Sequence, residues 1–123
     1  YPGTGDPIKK GKGRGLGYNI NIHLPCGTND QAIVDIYKSV LIPAANRFKP
    51  DLILISAGFD SRAHDLLGCL DITDTGFATM TKIVMRIANT HCDGRIVSML
   101  EGGYNLKGIA SAVNAHISAL LHK

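Results

Sequence analysis

The stretch Asp51-Leu-Ile-Leu-Ile-Ser-Ala-Gly-Phe-Asp60 decides how the chain is read, because an apolar run there ends in a carboxylate. Leu52 to Ser56 lacks the in/out alternation of a half-exposed strand, which suits the middle of a parallel sheet covered on both faces. Gly58 breaks the run. In an open α/β sheet ligands gather at the carboxyl ends of the strands, so Asp60 stands where a metal or a substrate would be met. The plainer alternative is an aspartate that caps or turns a loop.

Working outward, Arg95-Ile-Val-Ser-Met-Leu100 is a second short apolar strand that also runs into glycines, Gly102 and Gly103. Upstream, Tyr18-Asn-Ile-Asn-Ile-His-Leu24 alternates and stops at Pro25, which predicts a strand preceding both. Three helical patterns alternate with the strands. The first follows Asn29 and Asp30, good N-cap residues, and runs to about Phe48, with a kink or break expected at Leu41 to Pro43. The second starts at Thr73 or Asp74, shows Phe77, Met80, Ile83, Val84 and Ile87 on one face, and ends at Asp93-Gly94. The third spans about Leu106 to Leu121. Strand and helix alternate throughout, so the expected fold is α/β, a mostly parallel sheet with right-handed crossovers and helices on both faces. Phe59 to Leu70 is a loop.

A chain of 123 residues is one domain or less, short for a complete α/β enzyme. Its apolar runs all fall short of the eighteen or so residues that a membrane span needs, so no membrane partner is expected. Tyr1-Pro-Gly-Thr-Gly5 has neither a basic nor an apolar leader segment and reads as an interior turn, so a fragment of a longer protein is expected. Cys26, Cys69 and Cys92 are odd in number and form no C-x-x-C pair, which predicts reduced thiols and an intracellular site of action. Lys9, Lys10, Lys12 and Arg14 account for much of the net charge of +3. They stand among glycines without interleaved aromatics, so direct nucleic-acid binding is not expected. The Gly11 to Gly17 spacing is no dinucleotide cradle either, because those glycines precede a strand instead of following one.

Two strand ends each deliver one polar residue just past a glycine, Asp60 and Tyr104. If the strands are neighbours, a hard carboxylate ligand for a divalent metal meets a phenol able to donate to a developing oxyanion. Gly102 and Gly103 would let a substrate approach the backbone. Tyr104 could equally be a packing residue at a helix start.

Three motifs, Tyr1-Pro-Gly-Thr-Gly5, Ser56-Ala-Gly-Phe-Asp60 and Leu100-Glu-Gly-Gly-Tyr-Asn105, resemble in this order the later motifs of the histone deacetylase superfamily, particularly its class II and acetoin-utilisation-like members. The resemblance covers essentially the whole chain and implies the carboxyl-terminal half of an arginase/deacetylase-like α/β domain. It implies a zinc-dependent amidohydrolase, cytoplasmic or nuclear, that removes acetyl from a lysine in a protein or peptide, or from a small acetylated amine. By the same resemblance Asp60 is one of three metal ligands, and Tyr104 polarises the acetyl carbonyl. Tyr1, Leu67, Gly102 and Gly103 line the substrate channel, and the Tyr18 carbonyl helps hold a structural K⁺.

Two departures stand out. Asp65-Leu-Leu-Gly68 lacks the proline that follows the aspartate in the family, which predicts a looser loop. The paired histidines and the remaining metal ligands have no counterpart among His23, His64, His91, His116 and His122, so they are expected in a missing amino-terminal half. His64 alone is near enough to Asp60 to be an alternative ligand. The rival expectations are an acetylpolyamine hydrolase and a non-catalytic remnant of the same fold.

Overall fold

A computed structural model of the chain describes residues 3–121. Helix α1 (Asp30–Ile36) starts where the Asn29 side chain accepts the Ala32 N–H at 3.1 Å, satisfying one orphan donor of the first turn. The helical path does not stop at Pro43. A π-helical turn, Tyr37–Leu41, leads into α2 (Ile42–Phe48), and the Ile42 N–H reaches the Tyr37 carbonyl. Proline has no N–H and its ring crowds the carbonyl four residues back, and one wider turn relieves both. The break expected at Leu41 to Pro43 therefore takes the form of a bulge. Lys49, at φ 55°, closes α2 in the left-handed conformation.

Strand β1 (Ile53–Ala57), helix α3 (Asp74–His91), strand β2 (Ile96–Leu100) and helix α4 (Leu106–Leu121) complete the order. The two strands are parallel, with Ile53 opposite Ile96 and Ala57 opposite Leu100. Their carboxyl ends are therefore level, and the loops that follow them meet. Pairing persists past the strands, since Glu101 N–H donates to the Ala57 carbonyl at 3.0 Å and Phe59 N–H to the Gly102 carbonyl at 2.8 Å.

The helices pack on the face that carries Ile53, Ile55 and Ala57. Ala57 and Ile55 join Phe59, Ile72, Phe77 and Ala112, while Ile53 joins Val34, Ile83 and Ile87. Burial of such side chains contributes about 1.5–3 kcal/mol each. Leu54, Val97 and Met99 point the other way and are 46–62% exposed. Both faces of β1 are apolar in composition, and among the described residues one of them is covered.

His116 of α4 is buried in this core. Its ring nitrogens meet the Thr81 hydroxyl at 2.7 Å and the Ser98 hydroxyl at 2.9 Å. Thr81 already donates to the Phe77 carbonyl, so the consistent assignment has Nδ1–H donating to Thr81 and the Ser98 hydroxyl donating to Nε2. That is a neutral imidazole, and burial pushes its pKa down. The histidine ties α4 to α3 and β2, a structural part.

Two expectations are corrected. Tyr18 to Leu24 is not a strand, because no described segment offers it a ladder partner. Ile20 and Ile22, on the apolar side of its alternation, stay exposed, and Tyr18 rests edge-on against Phe48 at 5.9 Å. Cys26 and Cys69 are not reduced thiols but form a disulfide, with Cα atoms 4.9 Å apart. The Gly27 N–H donates to the Cys69 carbonyl at 2.7 Å, and an Asn29–Asp71 bridge lies beside it, bringing together positions 43 residues apart. Cys92 is free and buried. No helix among the described residues is long and apolar enough to cross a membrane.

Candidate active site

The site follows from the level strand ends. Asp60 lies three residues past β1 and its carboxylate is laid against Gly102, two residues past β2. A Cβ built on Gly102 would come 2.6 Å from Asp60 Oδ2. The backbone beneath is as close, since a Cβ on Gly68 would fall on the Asp60 carbonyl. Gly103, at φ 137°, adopts a conformation that side chains rarely take, and its open side is filled by Ile109 and Phe59. Gly102 and Gly103 are thus both required by close packing within the chain.

No hydrogen bond among the described residues ends on the Asp60 carboxylate. Its lone pairs are left open, as those of a metal ligand must be. The rest of a metal site is not supplied here, because no three His, Cys, Asp or Glu side chains group together among the described residues. His64 is exposed and takes φ 65°, and its carbonyl accepts from the Asn105 side chain at 2.9 Å. Its definable part is to shape the loop.

Tyr104 is 47% exposed, and its position is set by its backbone. Its N–H donates to Asp65 Oδ2 at 2.7 Å, and the Asn105 N–H reaches the same oxygen at 3.2 Å. Asp65 Oδ1 accepts from Leu67 N–H at 2.9 Å and from Gly68 N–H at 3.0 Å. Desolvation, the largest single influence, pushes this carboxyl up. The N–H groups of Gly68, Tyr104, Leu67 and Asn105 together outweigh it and hold the pKa at about 2. The turn that lacks the proline is therefore pinned by its own aspartate. Leu67 projects from it, 73% exposed.

Arg62 steadies the loop from behind. Its Nε donates to Asp74 Oδ1 at 2.8 Å and its Nη2 to Oδ2 at 3.3 Å, and Ser111 also donates to Asp74. The Arg62 hydrogen bond holds the Asp74 carboxyl below the usual range. One guanidinium thus fastens the Asp60 loop to α3 and, through Ser111, to α4. A cavity of about 200 Å³ runs between Ala57, Phe59, Ser61, Phe77 and His116. Its lining excludes Asp60 and Tyr104.

The sequence reading expected Asp60 and Tyr104 to meet at neighbouring strand ends; the structure sets Gly102 against the Asp60 carboxylate, Gly103 against Phe59 and Ile109, and the Tyr104 backbone on Asp65. Tyr18 contacts the end of α2, and Tyr1 lies outside the described residues. Asp65 and the Arg62–Asp74 pair were missed. For Asp65 a signal was present, since an aspartate two and three residues before a leucine and a glycine can accept both backbone N–H groups as a local turn. The Arg62 to Asp74 contact spans twelve residues and leaves no local trace.

The histone deacetylase domain family matches residues 1–120. The chain belongs to the histone deacetylase family. It is 43% identical over 121 residues to histone deacetylase 14, chloroplastic, of Arabidopsis thaliana, covering 98% of this chain and 29% of that protein. A probable deacetylase of Archaeoglobus fulgidus is 42% identical over 121 residues, which cover 98% of this chain and 34% of the relative. In three dimensions the chain resembles the crystal structure of the HDA15 HD domain, with a TM-score of 0.92 at 39% identity, over 100% of this chain and 34% of that one. The histone deacetylase Clr3 gives a TM-score of 0.91 at 37% identity over 98% of this chain and 20% of its own. The chain thus spans about a third or less of the relatives it matches.

Proposed function

We propose that the chain is the carboxyl-terminal portion of a zinc-dependent deacetylase domain that hydrolyses the acetyl amide of acetyl-lysine in a protein or peptide. The observation that carries this reading is the pairing of Asp60, a carboxylate with no hydrogen bond among the described residues, with the Gly102–Tyr104 loop at one sheet edge. Asp60 would hold Zn²⁺ as one of its ligands, the others coming from outside this chain. Zinc, when bound, supplies Lewis-acid polarisation and activates water near neutral pH. The chain's own part is to hold the Tyr104 phenol where it donates to the acetyl oxygen as negative charge develops there. Gly102 and Gly103 let the side chains of Asp60, Ile109 and Phe59 close up against the loop that carries Tyr104. Leu67 offers an apolar rim to the aliphatic stem of a lysine. By resemblance, the Tyr18 carbonyl serves a structural K⁺.

The open face of the sheet, with Leu54, Val97 and Met99, is where the remainder of the domain would pack. The site of action is read as intracellular, cytoplasmic or nuclear, from the acetyl-lysine substrate alone, because the Cys26–Cys69 bond removes the argument from reduced thiols.

The test is acetate release from an acetyl-lysine peptide by the full-length protein, before and after chelation and zinc repletion. Turnover that chelation abolishes and zinc restores supports the reading. A folded full-length protein that binds zinc without turnover would identify a non-catalytic relative.

A further inference from the structure

Asp65 stands in the loop after β1, and Tyr104 in the loop after β2, 39 residues on. One carboxylate joins them. Its Oδ1 closes the turn through Leu67 and Gly68, and its Oδ2 takes the two successive N–H groups of Tyr104 and Asn105. Asn105 strengthens the joint, since its Nδ2 donates to the His64 carbonyl at 2.9 Å while its Oδ1 accepts from Gly108 N–H at 3.0 Å in the first turn of α4. Gly68, at the end of that turn, sits directly on the Asp60 backbone. Asp60, Asp65 and Tyr104 are thus parts of one mechanical unit.

We infer that Asp65 is a positioning residue for Tyr104, its carboxylate fixing where the phenol stands relative to Asp60. The inference rests on the proposed role of Tyr104 as donor to the acetyl oxygen. Four backbone N–H groups converge on one side chain, at 2.7–3.2 Å. Tyr104, by contrast, has an exposed side chain and depends on its backbone for position. An acceptor ionised across the working pH range satisfies all four donors at once. An asparagine cannot, because its amide NH₂ would face one of the two donor pairs.

The experiment is a double-mutant cycle in the full-length enzyme with Asp65→Asn and Tyr104→Phe, reading kcat, KM, zinc content and Tm. Asp65→Asn should lower kcat by about 10–100-fold through misplacement of the phenol, with KM and zinc content little changed. In the Tyr104→Phe background the same substitution should cost no more than about twofold, because the group it positions is already gone. An equal loss in both backgrounds would make Asp65 an independent structural residue and overturn the inference, while the reading of Tyr104 stands. Tyr104→Phe with unchanged kcat would overturn both. If Asp65→Asn does not fold, Asn105→Ala loosens the same joint, and equal effects of it in the two backgrounds would likewise overturn the inference.

Discussion

A Cβ placed on Gly102 would lie 2.6 Å from Oδ2 of Asp60 and 2.8 Å from its Cγ, so the carboxylate occupies the space where a side chain would begin. The carboxylate is short, so moving it away also moves its Cγ, which the new Cβ would meet at 2.8 Å. Gly102→Ala in the full-length enzyme is therefore expected to displace Asp60 and lower kcat/KM by about 10²-fold, the scale of a misplacement near 1 Å. Because Gly102 does not require a left-handed backbone, Tm should fall by no more than a few degrees. Steady-state kinetics with thermal melts checks this, and kcat/KM within twofold of the parent would show that Asp60 tolerates the shift.

The parts of this architecture that were legible in the sequence are those with local causes. The Asn29 and Thr73 caps, the apolar runs of β1 and β2, and the glycines after each strand all act within a few residues of where they are written. The strand expected at Tyr18 to Leu24 failed because alternation shows only that a segment could pair, and pairing needs a partner. The Cys26–Cys69 bond escaped notice because its closeness comes from contacts made by Gly27 and Asn29 across a 43-residue separation. The glycines at 102 and 103 were expected at a substrate wall. The structure adds that Asp60 and Ile109 already occupy the room they leave.

His116 predicts a dependence of stability on pH. Its pKa is lowered from 6.5 by burial, so below about pH 6.5 the unfolded chain takes up a proton that the folded chain resists. Stability from this group is complete above that pH and is lost as pH falls toward the depressed folded value. Melts from pH 8 to pH 5 should show Tm declining by a few degrees on the acid side. His116→Gln should be less stable at pH 8 and should flatten that slope. An unchanged slope would place the titration elsewhere.

Leu67 sits on the pinned turn, 73% exposed, so changing it should leave the fold intact. An apolar rim forgoes the charge-assisted contact, about 1.5–3 kcal/mol, that a carboxylate there would make with the second ammonium of an acetylpolyamine. The full-length enzyme should therefore prefer an acetyl-lysine peptide to acetylspermidine, and Leu67→Glu should shift the ratio of kcat/KM values toward the polyamine by roughly tenfold or more. A parent enzyme that favours acetylspermidine tenfold would put the polyamine hydrolase ahead.

The separate parts assigned to Asp60 and Tyr104 are tested most directly by measuring zinc content and kcat together in the full-length Asp60→Ala and Tyr104→Phe variants. Tyr104→Phe should retain one zinc per chain while kcat falls by about 10²–10³-fold, the usual effect of deleting one oxyanion donor. Asp60→Ala should lose the zinc and, with it, turnover. Equal zinc loss in both variants, or full turnover in either, would contradict the account.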